Sequence, residues 1–378
     1  MIDSKRLNMK WEMVKLGKLV KISKGKKHTE VPLEQAKFRY INIEDLHGGN
    51  EKKYTNEDGI IVNDNDVILA WDGANAGKVG ASLQGVIGST LARLSPITKD
   101  IDSMFLFWFL DSKFNFIKSQ RTGATIPHVN GTSLKDLDIP LPPIPTQKRI
   151  AEILDKAHAL RRKDQALIKK YDELAQAIFI DMFGGYQNVI KLNKICTKIT
   201  DGVHAKPIYK AEGIPFLSVK NATKKYLDFS EVKYISLQDH QGFIKRCHPQ
   251  KNDILYTKVG ATYGRAALVD TDREFSIFVS LALIKPSQKF VLPEYLHFVL
   301  NSDFVIKQAD RRIRGAGVPD LHLIEIRDFD IPLPKMDEQI KFVNQIKNIN
   351  TIKKITTIEH SENLFQSLLV QAFQGGLN

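Results

Sequence analysis

Apolar positions along the chain follow two periods, and the change of period marks its organisation. Ile150, Ile153, Ala157, Leu160, Leu167, Tyr171, Leu174 and Ile178 recur in alternating steps of three and four, with polar Asp164 the one interruption. That heptad predicts a long amphipathic helix with a coiled-coil seam. The helix is preceded by Leu137-Asp-Ile-Pro-Leu-Pro-Pro-Ile-Pro-Thr-Gln147, which proline keeps extended, and it is expected to end near Phe183-Gly184-Gly185. Further on, Phe329-Asp-Ile-Pro-Leu-Pro334 with Gln339 repeats Leu137 to Pro142 with Gln147 at one common offset. A second helix carries Phe342, Ile346, Ile349, Ile352 and Ile355, then Leu364, Leu368 and Leu369, and closes on Phe373 and Gly375. Its register is less regular across Thr356 to Asn363. An apolar seam exposed on a single helix would be insoluble, so the two helices are expected to pack on each other, antiparallel if a two-fold axis relates the copies.

Between these helices the pattern shortens to strand length, and it does so twice. Trp11 to Gly25 and Val189 to Gly202 both read as a short apolar element stopped by a glycine turn. Phe38 to Ile43 matches Ile214 to Val219 as a strand followed by a polar turn. Asp66 to Leu69 matches Asp253 to Tyr256, and each leads into a glycine loop, Gly73-Ala-Asn-Ala-Gly77-Lys78 and Gly260-Ala-Thr-Tyr-Gly264-Arg265, before a return strand. An amphipathic helix follows, Met104 to Gln120 and Pro293 to Gln308, and a basic glycine loop closes each region at Arg121 to Pro127 and Arg314 to Pro319. Six matched features in one order establish an internal duplication.

Composition narrows the class of protein. The 378 residues can build two or three domains with full cores. The most apolar run, Met104 to Leu110, is far shorter than the roughly 20 residues that span a membrane, and no signal sequence is recognisable, so a cytoplasmic protein is expected. Cys196 and Cys247 lack metal-type spacing, which argues against a zinc site or a disulfide framework. The formal net charge of +12 favours a polyanionic partner such as nucleic acid.

Two stretches imitate catalytic motifs. The first glycine loop has one residue too few for a phosphate-binding loop, and Val79 stands where a magnesium-binding Ser or Thr belongs. Asp320 with Glu325 and Arg327 resembles a nuclease carboxylate motif, but arginine replaces the lysine and the first half offers no equivalent acid pair. No glycine-rich nucleoside loop or Asn/Asp-Pro-Pro-aromatic tetrapeptide of a methyltransferase is present. The residues read as a binder, with a magnesium-dependent nuclease or a protein-binding scaffold as the alternatives.

The closing motif Asp138-Ile-Pro-Leu-Pro-Pro-Ile-Pro-Thr-Gln147-Lys-Arg-Ile150, its second copy Asp330 to Gln339, and the two variable regions resemble the specificity subunit of Type I restriction-modification systems. Thr146 departs from the second copy, which has Glu338. The resemblance implies an α+β fold with pseudo-two-fold symmetry, in which two repeated α/β target recognition domains are separated by two long helices forming an antiparallel coiled coil. The segments would be 1–143 and 186–335 for the recognition domains, and 144–185 and 336–378 for the helices. It further implies that each domain reads one half of a split double-stranded DNA target, while the helix pair sets the gap and docks two methyltransferase subunits. Restriction subunits would join the full complex. No cofactor is expected on this chain, with S-adenosylmethionine, ATP and magnesium on the partners.

Bases are read at their edges while phosphate contacts position the protein, so both kinds of residue are expected on loops. In the first domain these are Lys24, Lys26, Lys27 and His28, then Asn75 and Lys78, then Arg121, Thr122 and His128. In the second they are His204 and Lys206, then Lys258, Thr262, Tyr263 and Arg265, then Arg311, Arg312 and Arg314. Trp71 and Trp108 are expected in the core.

Overall fold

The computed structural model describes residues 11–378 except 50, 124, 186–187, 316, 356–357, 375 and 378. Gly375, expected to close the second helix, lies outside the described residues, as do Thr356 at the start of the less regular stretch and Ala124 and Ala316 in the two basic loops.

The first region runs through β1 (Met13–Lys15), β2 (Val20–Lys24), β3 (Phe38–Ile41), β4 (Lys53–Thr55), β5 (Ile61–Val62) and β6 (Val67–Ala70). It continues with β7 (Val79–Ala81), β8 (Gly85–Ile87), β9 (Leu91–Pro96), α1 (Ser103–Ser112), α2 (Phe114–Ser119) and α3 (Gly131–Lys135). Strand β10 (Asp138–Pro140) then leads into α4 (Ile144–Phe183), a single helix of 40 residues. The second region begins β11 (Val189–Lys191), β12 (Cys196–Asp201), β13 (Ile214–Leu217), β14 (Lys233–Ile235), α5 (Leu237–Ile244), β15 (Ile254–Thr257) and β16 (Ala266–Leu268). It closes with β17 (Ser276–Ile277), β18 (Leu281–Pro286), α6 (Pro293–Leu300), α7 (Asp303–Arg312), α8 (Leu323–Arg327) and β19 (Asp330–Pro332). Helices α9 (Met336–Ile355) and α10 (Ile358–Gln374) follow. The amphipathic helix expected before each basic loop is two helices, because the backbone breaks at Lys113 and at Asn301–Ser302. Asn301 spends its amide on β16, donating to the Ala266 carbonyl at 2.9 Å and accepting the Ala266 N–H at 3.1 Å.

The chain forms two compact units, Met1–Ala166 with Thr357–Asn378, and Leu167–Thr356. Each contains one region together with parts of the helices. Both regions use the same sheet plan. The first has an antiparallel sheet β2-β9-β6-β7 and a mixed sheet β4-β3-β8-β5, the second an antiparallel sheet β12-β18-β15-β16 and a mixed sheet β14-β13-β17. Strand β6 is apolar at every position because both of its faces are covered. Val67 and Leu69 join Phe105, Phe109 and Ile150 on the helix side, while Ile68 and Ala70 join Ile41 and Ile87 on the other. Strand β15 divides likewise, Ile254 and Tyr256 on one side and Leu255 on the other.

The Asp-Ile-Pro of each proline lead-in is a strand that ties the end of a region to its beginning. Strand β10 pairs antiparallel with β1, with Val14 opposite Ile139, and β19 with β11, with Ile190 opposite Ile331. The buried side chain of Gln147 explains why glutamine recurs at this site. Its Nε2 donates to the carbonyls of Asp100 and Pro142 at 2.7 and 2.8 Å, and its Oε1 accepts the Asp102 N–H at 2.8 Å. Gln339 repeats the arrangement with Phe290 and Pro334, both at 3.0 Å, and with the Leu292 N–H at 2.8 Å. Two donors and an acceptor on one side chain of this length require a carboxamide.

Within each unit the two helices run antiparallel. In the first, His158 and Arg161 on α4 meet Phe365 and Glu362 on α10. In the second, Asp172 and Phe179 meet Lys353 and Phe342 on α9. The expected seam on α4 needs correction. Ile150 and Ala157 are buried and Ile153, Tyr171 and Ile178 half-buried, but Leu160, Leu167 and Leu174 are 45%, 36% and 46% exposed. The inner row uses the following position instead: Leu154, Arg161, Ile168 and Ala175. Arg161 can stand there because its guanidinium lies 4.3 Å from the centre of the Phe365 ring and its charge meets Glu362 at 3.3 Å. On the second helix Phe342 and Ile349 are buried and Ile346 half-buried, whereas Ile352 and Leu364 are exposed.

Trp108 is core, as expected, and donates its indole N–H to Asp155 at 2.9 Å. Both cysteines are free, and burial pushes the Cys196 thiol up to about 12 and the Cys247 thiol up to about 11, so neither is a thiolate at neutral pH. Among the described residues no helix is long and apolar enough to cross a membrane.

Replacing Gln147 by leucine strands three backbone groups and is expected to cost about 2–4 kcal/mol in urea unfolding. Leu154→Ala is expected to cost about 2–5 kcal/mol, while Leu160→Gln should stay within about 0.5 kcal/mol. Equal costs for Leu154 and Leu160 would restore the original seam.

Candidate nucleic-acid interface

In each region three loops converge: the turn after the opening strand, the glycine loop and the basic closing loop. The glycine loops join antiparallel strands, β6 to β7 and β15 to β16, with no helix to receive a phosphate, so the phosphate-loop likeness is excluded by topology. Gly73 and Gly77 have φ of 91° and 97°, and Gly260 and Gly264 have 91° and 82°, the left-handed conformation for which both tight turns need glycine. Main-chain bonds then fasten the closing loop. The Gly73 N–H donates to the Pro127 carbonyl at 2.8 Å and the Val129 N–H to the Trp71 carbonyl at 2.9 Å. In the second region Gly260 donates to Pro319 and Leu321 to Lys258, both at 2.8 Å.

These bonds bring most of the expected first-domain residues together. Lys24 lies 3.2 Å from Asp72 and its ammonium 5.6 Å from the centre of the half-buried Trp71 ring, while His128 Nδ1 lies 2.6 Å from the other Asp72 oxygen. Arg121 donates to the Ala74 carbonyl at 3.2 Å, placing the closing loop beside Asn75 and Lys78. Thr122 pairs with His128 across a β-bridge and is exposed, as are Lys26 and Lys27. His28 is the exception and a correction. Its side chain is 2% exposed, its ring packs edge-on against Tyr40 at 5.3 Å, and its Nδ1 faces Glu57 at 3.3 Å. It is a core histidine unable to reach a nucleic acid without unfolding the turn.

The second domain gathers Lys258 with Asp201 and Asp320, at 3.9 and 3.7 Å. Lys258 is buried, so it orders these acids and is not the exposed DNA contact expected from the sequence. His204 lies 3.4 Å from Asp201, which Arg246 also bonds. Tyr263 donates to Asp310 at 2.8 Å, and hydrogen bonding to that carboxylate raises its phenol above the usual range. Arg312 is occupied by Asp328 at 3.2 Å and covers Phe329. Arg314 meets the buried Glu325 at 2.6 Å, and Lys206, Thr262, Arg265 and Arg311 are exposed. The acids of the nuclease reading, Asp320 and Glu325, are therefore each held by a cation. Among the described residues no group of His, Cys, Asp or Glu is arranged to hold a metal.

Sequence reasoning missed Asp72 and Asp201 because it sought cations and polar readers alone, and Arg246 because it lies outside the three loops and reaches Asp201 only through the fold. A signal was present: Lys24 and Asp201 occupy the same place before the glycine that ends the opening strand, with opposite charge.

A family model, Type I restriction modification DNA specificity domain, matches residues 8–170 and 186–363. The chain is similar to the Type I restriction enzyme MjaVIII specificity subunit of Methanocaldococcus jannaschii, 26% identical over 359 residues that cover 87% of this chain and 83% of that one. It is also similar to the EcoBI specificity subunit of Escherichia coli, 24% identical over 89% of this chain and 79% of that one. Its fold matches a crystal structure of a Type-I restriction-modification system S subunit from M. genitalium with a TM-score of 0.58 at 15% identity, covering 99% of this chain and 98% of that one.

Lys258→Ala would leave Asp201 and Asp320 facing one another around a vacated site. The expected loss is about 1–3 kcal/mol in urea unfolding, with a smaller effect from Arg265→Ala, which removes an exposed charge.

Proposed function

Since the chain belongs to the family defined by the Type I restriction modification DNA specificity domain and carries that domain twice, we propose that it is a recognition subunit whose two domains each read one half of a bipartite double-stranded DNA target. The observation that carries this reading is the pair of equivalent loop clusters, alike in backbone and unlike in side chains. A shared scaffold with different polar groups at its tips is what two readers of different sequences require. The net charge of +12 supplies the non-specific attraction to phosphate.

The antiparallel helices set the spacing between half-sites and dock two methyltransferase subunits, to which restriction subunits are added in the full complex. Support comes from the exposed leucines at positions 160, 167 and 174 of α4, which form a row beside the inner one and remain open to a partner. Methyl transfer and its S-adenosylmethionine, and cleavage with its ATP and magnesium, belong to those partners. This chain contributes recognition without catalysis.

Exchanging residues 11–137 for those of a relative with another target is expected to change one half of the methylated sequence and leave the other intact. A change in both halves, or in neither, would overturn the reading. Binding should also weaken steeply with salt, by about 10³–10⁵ between 50 and 200 mM if 6–10 phosphates are contacted. A salt-independent interaction would point to a protein scaffold.

A further inference from the structure

The side chains that join the three loops have opposite polarity in the two regions. In the first, the anion Asp72 sits between Lys24 and His128. In the second, the cation Lys258 sits between Asp201 and Asp320. The main chain fixes the correspondence: Asp201 ends the opening strand as Lys24 does, and Asp320 bridges Arg314 and Val259 as His128 bridges Thr122 and Asp72. Lys258 itself stands at the place of Trp71, one residue before that of Asp72, so the same backbone closure accepts a central ion of either sign from neighbouring positions. What differs is the group left facing water. In the first region the central acid is largely covered while Lys24 is 48% and His128 46% exposed. In the second, Lys258 and Asp201 are covered, Asp320 is 38% exposed, and the cations on Asp201, His204 and Arg246, are 63% and 56% exposed. An exposed carboxylate beside His322, on the loop that carries Arg314, weakens attraction to phosphate, so its place on this loop calls for another role.

We propose that Lys24 and Asp320 are specificity-determining residues of opposite hydrogen-bond sense, each held in position by its covered partner, Asp72 or Lys258. The inference rests on the DNA-reading function above. An ammonium has three donors and no acceptor, and with one directed to Asp72 two remain for the O6 and N7 acceptors of guanine. A carboxylate accepts only, and in the major groove the exocyclic amines of cytosine and adenine are the donors it can meet. One half-site therefore carries a guanine under Lys24, and the other an amine-bearing base under Asp320.

The test uses the full chain assembled with its methyltransferase partners and maps the methylated motif across a genome. Asp320→Asn is expected to relax one position of one half-site, with about tenfold loss of discrimination there, and to leave the other half unchanged. Lys24→Gln should relax one position of the other half. Should Asp320→Asn fail to accumulate folded protein, Asp320→Glu, which keeps the carboxylate, is expected to retain the motif, and Lys24→Gln decides independently. Motifs unchanged in both Asp320→Asn and Lys24→Gln, or altered in both halves by a single variant, would overturn the inference. If exchanging residues 11–137 alters one half while neither point variant has any effect, this assignment alone is wrong; if that exchange also has no effect, the DNA reading fails with it.

Discussion

A carboxamide with no access to water, Gln147 in one region and Gln339 in the other, fastens three parts of the chain that would otherwise move independently. One of its bonds is to the capping residue just before α1 or α6, and two hold the carbonyls two residues further back and at the end of the proline lead-in. The first turn of the long helix is thus fixed to the helix that covers the sheet. Each bond contributes modestly in net terms, but an unsatisfied buried group is costly, so the interaction works as a constraint more than as a source of stability.

The sheets build outward from that constraint. Because β6 and β15 are covered on both faces, the strand leading into each glycine loop cannot slip without moving two sets of buried side chains. Rigid strands present the loops, and the loops carry the variable chemistry. In the ion cluster at their base the outer members are matched in backbone and reversed in sign, while the central ions Asp72 and Lys258 stand one position apart, which separates what closes the fold from what faces a ligand.

The helices show the same division between local rule and tertiary choice. Heptad spacing on α4 is visible without a structure, yet it leaves two adjacent rows to choose between, one through Leu160, Leu167 and Leu174 and one through Leu154, Arg161, Ile168 and Ala175. Hydropathy favours the leucines. The aromatic face of Phe365 and the carboxylate of Glu362 favour Arg161, and the partner surface prevails.

The duplication, the proline lead-ins with their glutamines, the glycine loops and the existence of two long helices were all legible in the sequence, because each depends on residue type at fixed local spacing. Only the tertiary structure decided which helix row faces inward, that His28 belongs to the core, and that Lys258 orders two acids. Those outcomes depend on what arrives from distant parts of the chain: Glu57 and Tyr40 beside His28, Asp201 and Asp320 beside Lys258. A charged or polar side chain is buried or exposed according to the partners it meets, and sequence spacing does not reveal partners brought together by the fold.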